Sequence, residues 1–328
     1  MREVILNFPK QFQAGLKAAA HISKKVNFEF ENVVICGVGG SALPASLLWD
    51  YADDLKIPLY IHRSYGLAKQ TNEKSLIVCI SFSGNTEETL SGYEQAIKMG
   101  LTPIAITTGG KLKQWAEKNN LPVAVVPNDC LQPRMGTGYL FAALLKILSN
   151  CNVLADKTKE MLQTAESLNP SLLEEQGKAL AQKLIGKIPL IYASHRFKSC
   201  ARVWKIKFNE NSKIMAFWNY FPELNHNEMV GYTKIQSAQF KVQNYFVIIL
   251  KDKDDNPQIL KRMELTASFI KEAGYGVDLI EMQGATKLEK IFNALLLGDW
   301  TSYYLALAYE QDPLPVKIVE EFKKHLSQ

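Results

Sequence analysis

Short apolar runs alternate along this chain with segments that have the spacing of amphipathic helices. The runs are rich in Val and Ile and are short enough to be buried strands. In the first half they cover residues 33–36, 59–61, 76–80, 103–106 and 123–126, and in the second half 188–193, 246–250 and 277–280, with an aromatic, strand-like run over 216–221. Strands that alternate with helices predict an α/β fold in which mainly parallel sheets are flanked by helices.

The segments between the runs predict the helices. We expect helices over 12–25, 42–51, 89–99, 112–118 and 135–148, then over 199–208, 257–273 and 285–297, with further helices starting at Thr301 and Pro315. Residues 152–183 are helical and polar enough to connect two bodies. We therefore predict two α/β domains of similar architecture. The first covers residues 1–151 with a leading helix, and the second covers 152–328 with a connecting and a C-terminal helix. Each should bind ligand at the carboxyl ends of its strands.

Composition and charge narrow the class of protein. The 328 residues are 47% hydrophobic and 22% charged, as in an ordinary globular chain. The formal net charge is +5, and the sequence has no block of basic residues that would bind nucleic acid. A modest positive charge is compatible with a small anionic substrate.

The cysteines and the apolar runs indicate the cellular compartment of the protein. The five cysteines are scattered and include no CxxC pair, so we expect neither a zinc site nor a disulfide framework. Residues 1–10 lack the apolar core of a signal peptide, and no uncharged apolar run is long enough to span a membrane. We therefore expect a cytoplasmic protein without a membrane partner.

Residues 81–86, which we call the serine loop, follow the strand at 76–80 and precede a helix. They carry three hydroxyl side chains, those of Ser81, Ser83 and Thr86. Hydroxyl donors and free backbone N–H groups at a helix N-terminus together make a phosphate site. Each hydrogen bond to a charged group contributes about 1.5–3 kcal/mol. The alternative is that Ser83 or Asn85 only caps the helix, but a cap needs a single such residue. We therefore predict an anion site.

A glycine-rich turn, residues 37–42, follows the strand at 33–36 and leaves three interpretations open. It matches the loose dinucleotide fingerprint GxGxxA, which also needs an acid about 20 residues further on. This chain has His62 and Arg63 at the end of the second strand, and an Arg there suits the 2′-phosphate of NADP. The second interpretation is a plain strand-to-helix turn. The third, which we favour, is a turn that places the Ser41 hydroxyl beside a sugar.

Two polar stretches in the second half suggest acid–base chemistry. Glu210 lies among residues that favour the end of a helix, where the negative end of the dipole disfavours an ionised carboxylate and makes it a stronger base. His226 lies in a loop dense in polar groups after the aromatic run at 216–221, which is typical of a site loop. The alternatives are a solvated surface glutamate and a histidine without a chemical role.

Several of these motifs resemble known families. Gly40-Ser41 and the serine loop resemble the sugar isomerase (SIS) domain over about residues 32–149. More closely, the chain is similar to the bifunctional phosphoglucose/phosphomannose isomerase family over about residues 32–324. The motifs that carry this similarity, in order, are 39–41, 81–89, Pro133-Arg134 before Gly138-Tyr139, 209–213, 222–228, and 312–316 with Lys323.

The resemblance implies two SIS-type domains and an isomerase. It implies interconversion of glucose 6-phosphate and fructose 6-phosphate, and of mannose 6-phosphate, through a cis-enediol, as part of glycolysis and gluconeogenesis. It also implies that Ser81, Ser83 and Thr86 hold the substrate phosphate, with Gly40 and Ser41 beside it.

The acid–base roles follow from the same resemblance. Arg134 is expected to stabilise the enediolate, and Glu210 to move a proton between C1 and C2. His226 is expected to assist ring opening from the neighbouring subunit of a homodimer, and Lys323 to act with it at the ring oxygen. Lys317 is the less favoured lysine because it does not keep the spacing from the preceding Asp-Pro pair. The alternatives are an ion-paired structural role for Arg134 and a solvated helix face for Lys323.

The chemistry implied by the resemblance requires no cofactor and no metal. Proton transfer through an enediol needs a base near the carbons and a fixed cation or dipoles for the developing charge. The competing hypothesis from another class is a non-catalytic SIS-domain regulator that senses a sugar phosphate. The NADP-dependent dehydrogenase suggested by the glycine-rich turn is a further alternative.

Overall fold

The apolar runs form two all-parallel sheets in the computed structural model, which describes residues 1–23, 28–129, 132–233 and 244–326. The first sheet contains β1 (Asn32–Cys36), β2 (Leu59–His62), β3 (Ser75–Ile80), β4 (Ile104–Thr107) and β5 (Val123–Val125), in the spatial order β2-β1-β3-β4-β5. The second contains β6 (Ile188–Ser194), β7 (Phe217–Phe221), β8 (Tyr245–Lys251) and β9 (Gly276–Glu281), in the order β7-β6-β8-β9. The predicted fold class is confirmed.

Helices precede and separate these strands. Around the first sheet they are α2 (Lys10–Ala18), α3 (Leu43–Tyr51), α4 (Glu87–Lys98), α5 (Gly110–Lys118), α6 (Thr137–Asn150) and α7 (Thr158–Ser167). With the second sheet are α1 (Arg2–Leu6), α8 (Glu174–Leu184), α9 (Lys198–Lys207), α10 (Pro257–Glu272), α11 (Lys287–Ala308) and α12 (Lys317–Leu326). Among the described helices, none combines the length and the apolar character that a bilayer crossing requires.

The chain divides into two compact units. The N-terminal unit is Leu6–Asn169, and the C-terminal unit combines Met1–Ile5 with Pro170–Gln328. Arg2 is tied into the C-terminal unit, because its guanidinium donates to Glu174 over 2.7 Å. This division places α7 in the N-terminal unit, and the predicted domain boundary after residue 151 stays a prediction.

The N-terminal unit is built around β1 and β3, whose residues are all buried. On one face their side chains pack against α4 and α5 in a core that includes Val34, Ile77, Tyr93 and Leu112. The parallel register pairs Cys36 with both His62 and Cys79, so β1, β2 and β3 end at the same edge of the sheet. The glycine-rich turn and the serine loop follow at this edge.

The C-terminal unit packs β6 and β8 between helices, and its longest helix is α11. The expectation of one helix over 285–297 and another from Thr301 is wrong, because α11 runs unbroken from Lys287 to Ala308. The hydroxyls of Thr301 and Ser302 bond the carbonyls of Leu297 and Gly298 within the helix, over 2.7 and 2.8 Å. These residues therefore satisfy their polar atoms inside the helix and do not end it.

The leading helix is shorter than predicted. The pattern predicts a helix over 12–25, whereas α2 ends at Ala18. The Asn150 side chain at the end of α6 donates to the carbonyls of Ala19 and Ile22, each over 3.0 Å. Because this amide binds the chain directly after α2, the backbone there leaves the helix. Residues 24–27 and Cys130 lie outside the described residues.

Candidate active site

The serine loop leads from the carboxyl end of β3 to the N-terminus of α4. Thr86 is the residue that precedes the helix, and its side chain accepts no bond from the first turn. Ser83 and Asn85 do not cap α4 either. The Ser83 hydroxyl accepts from the N–H of Asn85 over 3.3 Å, and the Asn85 side-chain oxygen accepts from the N–H of Lys111 over 3.1 Å. The N–H groups in the first turn of α4 are thus left without a side-chain cap, as an anion site requires.

The hydroxyls of the serine loop differ in exposure. Ser81 is fully buried, and its hydroxyl lies 2.9 Å from that of Thr86. Thr86 is half-buried and Ser83 is exposed at the surface of the loop. Ser81 therefore orients Thr86, while Ser83 and Thr86 are the hydroxyls that solvent reaches.

The turn after β4 packs against the serine loop, a contact that the sequence did not indicate. Thr108 donates its hydroxyl to the carbonyl of Phe82 over 2.7 Å. Gly84 has a φ of +70°, and an added Cβ would lie 1.8 Å from the carbonyl oxygen of Gly109. Only glycine adopts this conformation without strain and leaves room for the second turn. The loop conformation is therefore fixed by backbone packing.

The glycine-rich turn is linked to the serine loop by Ser41. Ser41 is buried, and its hydroxyl oxygen accepts a hydrogen bond from the N–H of Phe82 over 2.9 Å. Arg63, which follows β2, donates to the hydroxyl of Ser46 over 2.8 Å. The structure therefore brings Ser41 against the predicted phosphate loop.

Arg134 lies in a short 3-10 turn, Pro133–Met135, that packs against the glycine-rich turn. A Cβ added at Gly40 would lie 2.7 Å from the backbone nitrogen of Arg134 and 2.9 Å from Pro133. The Arg134 side chain is completely buried. Gly40, Ser41, Arg134 and the serine loop thus form one group in the N-terminal unit.

Glu210 lies in a π-helical turn, Phe208–Ser212, that continues α9. The turn ends at Lys213, which has a left-handed φ of +58°. Single π turns inside helices are frequent at functional sites. The predicted end of the helix in this region is confirmed, and Glu210 is half-buried in its last turn.

The polar neighbours of Glu210 hold this turn in place. Asn211 donates to the Ser302 hydroxyl over 2.9 Å, and the Ser212 hydroxyl donates to the Ser302 carbonyl over 2.7 Å. Asn209 donates to the carbonyl of Ile214 over 2.7 Å. These residues suit the end of a helix, as predicted, and they also attach the turn to the rest of the unit.

Lys213 connects the Glu210 turn with a second predicted motif. Its ammonium donates to the backbone carbonyl of Glu210 and, over 3.4 Å, to the carbonyl of Pro313. The predicted motif at 312–316 is therefore next to the Glu210 turn. The sequence did not single out Lys213 as the group that joins them.

His226 is exposed on a short segment that is anchored on both sides. Asn225 donates to the Thr266 hydroxyl of α10 over 2.9 Å. Glu228 accepts hydrogen bonds from Tyr192 of β6 and from Asn219 of β7, which pair in register. The inward contacts of Asn225 and Glu228 leave the imidazole of His226 directed away from the core.

Glu228, which is half-buried, forms a polar group with two buried tyrosines, and the sequence alone did not indicate this group. Tyr192 shares hydrogen bonds with Glu228 and with the hydroxyl of Tyr232. Burial, followed by the proximity of Tyr232 and Glu228, raises the pKa of Tyr192 far above its ordinary value, so the phenol stays protonated and donates. In the sequence this group is visible only as a glutamate two residues after His226. Without knowledge that Tyr192 and Tyr232 lie beside it, that glutamate does not predict a polar cluster.

Lys323 and Lys317 both lie on α12. Every residue of this helix is exposed. Its apolar residues Ile318, Phe322 and Leu326 follow at intervals of four along one face. The structure does not distinguish the two lysines as site residues, and both are in the C-terminal unit, as are Glu210 and His226.

Comparisons with known sequences show which proteins this chain is similar to. Residues 173–326 match the family model of the bacterial phospho-glucose isomerase C-terminal SIS domain. The chain is 38% identical to the bifunctional phosphoglucose/phosphomannose isomerase of Caldicellulosiruptor bescii over 340 residues, which covers 100% of this chain and 99% of that protein. It is 32% identical to the protein of the same name from Aquifex aeolicus, covering 90% and 91% of the two chains.

Solved structures share the fold. The C-terminal domain of glucosamine-fructose-6-phosphate aminotransferase from Francisella tularensis superimposes with a TM-score of 0.70, covering 95% of this chain and 97% of that one. The sequence identity in this pair is 15%, so the likeness concerns the fold alone.

Proposed function

Because the chain belongs to the bifunctional phosphoglucose/phosphomannose isomerase family, we propose that it interconverts glucose 6-phosphate and fructose 6-phosphate. We propose mannose 6-phosphate as a further substrate. The relatives in Caldicellulosiruptor bescii and Aquifex aeolicus carry this activity in their names. The structural observation that carries the proposal is the serine loop, which presents hydroxyls and an uncapped helix N-terminus.

The group in the N-terminal unit would bind the anionic parts of the substrate. Ser83 and Thr86 would hold the phosphate together with the first-turn N–H groups of α4, and Ser81 would act from behind them by orienting the Thr86 hydroxyl. Gly40 and Ser41 would line the adjoining turn. Arg134 would stabilise the enediolate, since a guanidinium keeps its proton throughout the reaction. The close packing of Gly40 on the backbone of Arg134 supports a fixed position for the backbone of this residue.

The group in the C-terminal unit would move the protons. Glu210 would transfer one proton between C1 and C2, a step in which a general base contributes about 10²–10⁴-fold. Return of the proton to the opposite face of C2 would give mannose 6-phosphate in place of glucose 6-phosphate. The attached π turn supports a fixed position for the carboxylate.

His226 and Lys323 would act at the ring oxygen. We infer that the protein is a homodimer in which His226 serves the neighbouring subunit. The exposure of His226 on a segment anchored by Asn225 and Glu228 supports this inference. We infer a cytoplasmic location as well, because the cysteines among the described residues are free and buried, as in a reducing compartment. The reaction would then serve glycolysis and gluconeogenesis.

A coupled assay on purified protein tests the proposal. Wild-type protein supplied with fructose 6-phosphate should produce glucose 6-phosphate, and Glu210→Gln should lower kcat by about 10²–10⁴-fold. Glu264→Gln is the matched control, because this exposed glutamate pairs with Lys251 on the surface. Undiminished turnover by Glu210→Gln would remove this residue from the mechanism. Binding of fructose 6-phosphate without any turnover by the wild type would favour the regulator.

A further inference from the structure

Buried polar side chains connect the Glu210 turn to α11. We call them the polar seam, and its members are Lys207, Asn211 and Ser212 on one side and Asp299 and Ser302 on the other. The Lys207 ammonium lies 2.7 Å from the Asp299 carboxylate. Asn211 and Ser212 both bond Ser302. Each of these residues is 0–1% exposed.

Joining two helices through buried charged side chains is unfavourable in desolvation energy. Burying a charged pair costs desolvation energy that mutual attraction only partly offsets, and well-packed apolar replacements are often neutral or stabilising. Buried polar groups that are fully paired instead specify one arrangement over others. The seam is therefore better explained by what it specifies than by the stability that it contributes.

The arrangement that the seam specifies is the π turn. In a regular α-helix Lys207 and Asn211 share a face, while Ser212 is rotated a further 100° away. Here Asn211 and Ser212 both reach Ser302, because the backbone from Phe208 to Ser212 is widened into a π turn. A regular helix would give up one of these bonds and would turn Glu210 in a different direction.

We propose that Lys207, Asp299 and Ser302 are positioning residues for Glu210. The seam holds the π turn, and the π turn sets the direction of the Glu210 carboxylate. The part of this inference that concerns catalysis rests on the proposed isomerase function. A misplaced catalytic group loses rate even when the fold is intact.

The test replaces the buried pair with apolar residues of similar size, as Lys207→Met with Asp299→Leu. We expect Tm to be equal to or above that of the wild type. We expect kcat to fall by about 10- to 100-fold with KM nearly unchanged. We also expect faster hydrogen exchange at residues 208–214. The matched control is Lys290→Met with Asp252→Leu, which removes another buried pair of the same unit and should leave kcat and this exchange unchanged.

Three results would overturn the inference. They are unchanged kcat in a folded double variant, a loss of kcat that only follows the loss of folded protein, and unchanged hydrogen exchange at 208–214. If the double variant does not fold, Ser302→Ala replaces it, since it removes the acceptor of Asn211 and leaves the ion pair intact. An inactive wild type would count against the isomerase function, while the exchange measurement would still decide whether the seam holds the turn.

Discussion

Each unit has a loop at the same topological position, and the two loops carry different kinds of side chain. In each sheet the strand that comes first in sequence lies between the second and the third, and the chain enters a helix after the third. In the N-terminal unit this loop is the serine loop between β3 and α4. In the C-terminal unit it is residues 252–256 between β8 and α10, which we call the aspartate loop.

In the aspartate loop, acidic side chains pair with basic side chains of the same unit. Asp252 is buried, lies 2.6 Å from the Lys290 ammonium and accepts from Arg196 over 3.1 Å. Asn256 caps α10 by accepting from the N–H of Gln258 over 2.8 Å. The N-terminus of α10 is therefore capped by the loop itself, and Asp252 is paired with basic side chains of its own unit.

The serine loop contrasts with it in both respects. Hydroxyls take the positions that carboxylates occupy in the aspartate loop, and the Thr86 side chain does not cap α4. The comparison teaches that the strand order alone does not make an anion site. We propose the anion site for the serine loop because the N-terminus of α4 has no side-chain cap.

The largest effect predicted by this comparison is on stability, in the aspartate loop. Asp252→Ala would remove the buried one of the two carboxylates that Lys290 contacts, leaving only the exposed Asp254, and should lower the free energy of unfolding by about 3 kcal/mol. Urea unfolding measures the loss, and KM for fructose 6-phosphate should not change. Adding Lys290→Met to Asp252→Ala should recover much of the stability. No recovery would mean that the pair does not explain the loss.

A substitution in the serine loop should instead weaken substrate binding and leave stability nearly unchanged. Ser83 is exposed, so Ser83→Ala should leave the free energy of unfolding within about 0.5 kcal/mol of the wild type. KM for fructose 6-phosphate should rise by about 10- to 150-fold, which corresponds to one lost bond to a charged group of about 1.5–3 kcal/mol. Steady-state kinetics and thermal shifts with inorganic phosphate measure this. Ser268→Ala on α10 is the control, and an unchanged KM in Ser83→Ala would argue against phosphate binding by this hydroxyl.

The smallest predicted effect is on the thermal stability of the protein at acidic pH. The hydrogen bond from Lys290, opposed by partial burial, lowers the pKa of Asp254. A lowered pKa stabilises the fold above the unfolded-state value, and this stabilisation is lost as pH falls through the folded-state value, so it should fade below about pH 4. Tm measured from pH 7 to pH 3 should therefore fall slightly less in Asp254→Asn than in the wild type. Equal slopes would show that this pair does not contribute.

Much of the fold could be predicted because buried parallel strands leave a local signal. The runs at 76–80 and 188–193 are continuous apolar segments, and each corresponds to an observed strand. The position of the serine loop at a helix N-terminus could be predicted for the same reason, since strand, hydroxyls and helix are adjacent in sequence.

The support of the site could not be predicted, because its partners are distant in sequence. Asn211 and Ser302 are 91 residues apart, and Ser41 reaches Phe82 across 41 residues. Hydrogen bonds between separate elements leave no periodicity behind. For Glu210 and His226 the sequence suggested chemistry only weakly, and the resemblance to a family was needed to assign their roles.

The contact of Gly40 with the backbone of Arg134 also bears on how this enzyme can be redesigned. The glycine-rich turn and the arginine turn approach each other so closely at Gly40 that any side chain added there would push the two turns apart. Libraries that aim at new substrates would do well to keep residues 39–41 and 133–135 constant. Variation is better directed to exposed positions outside the serine loop, such as Glu223 near His226.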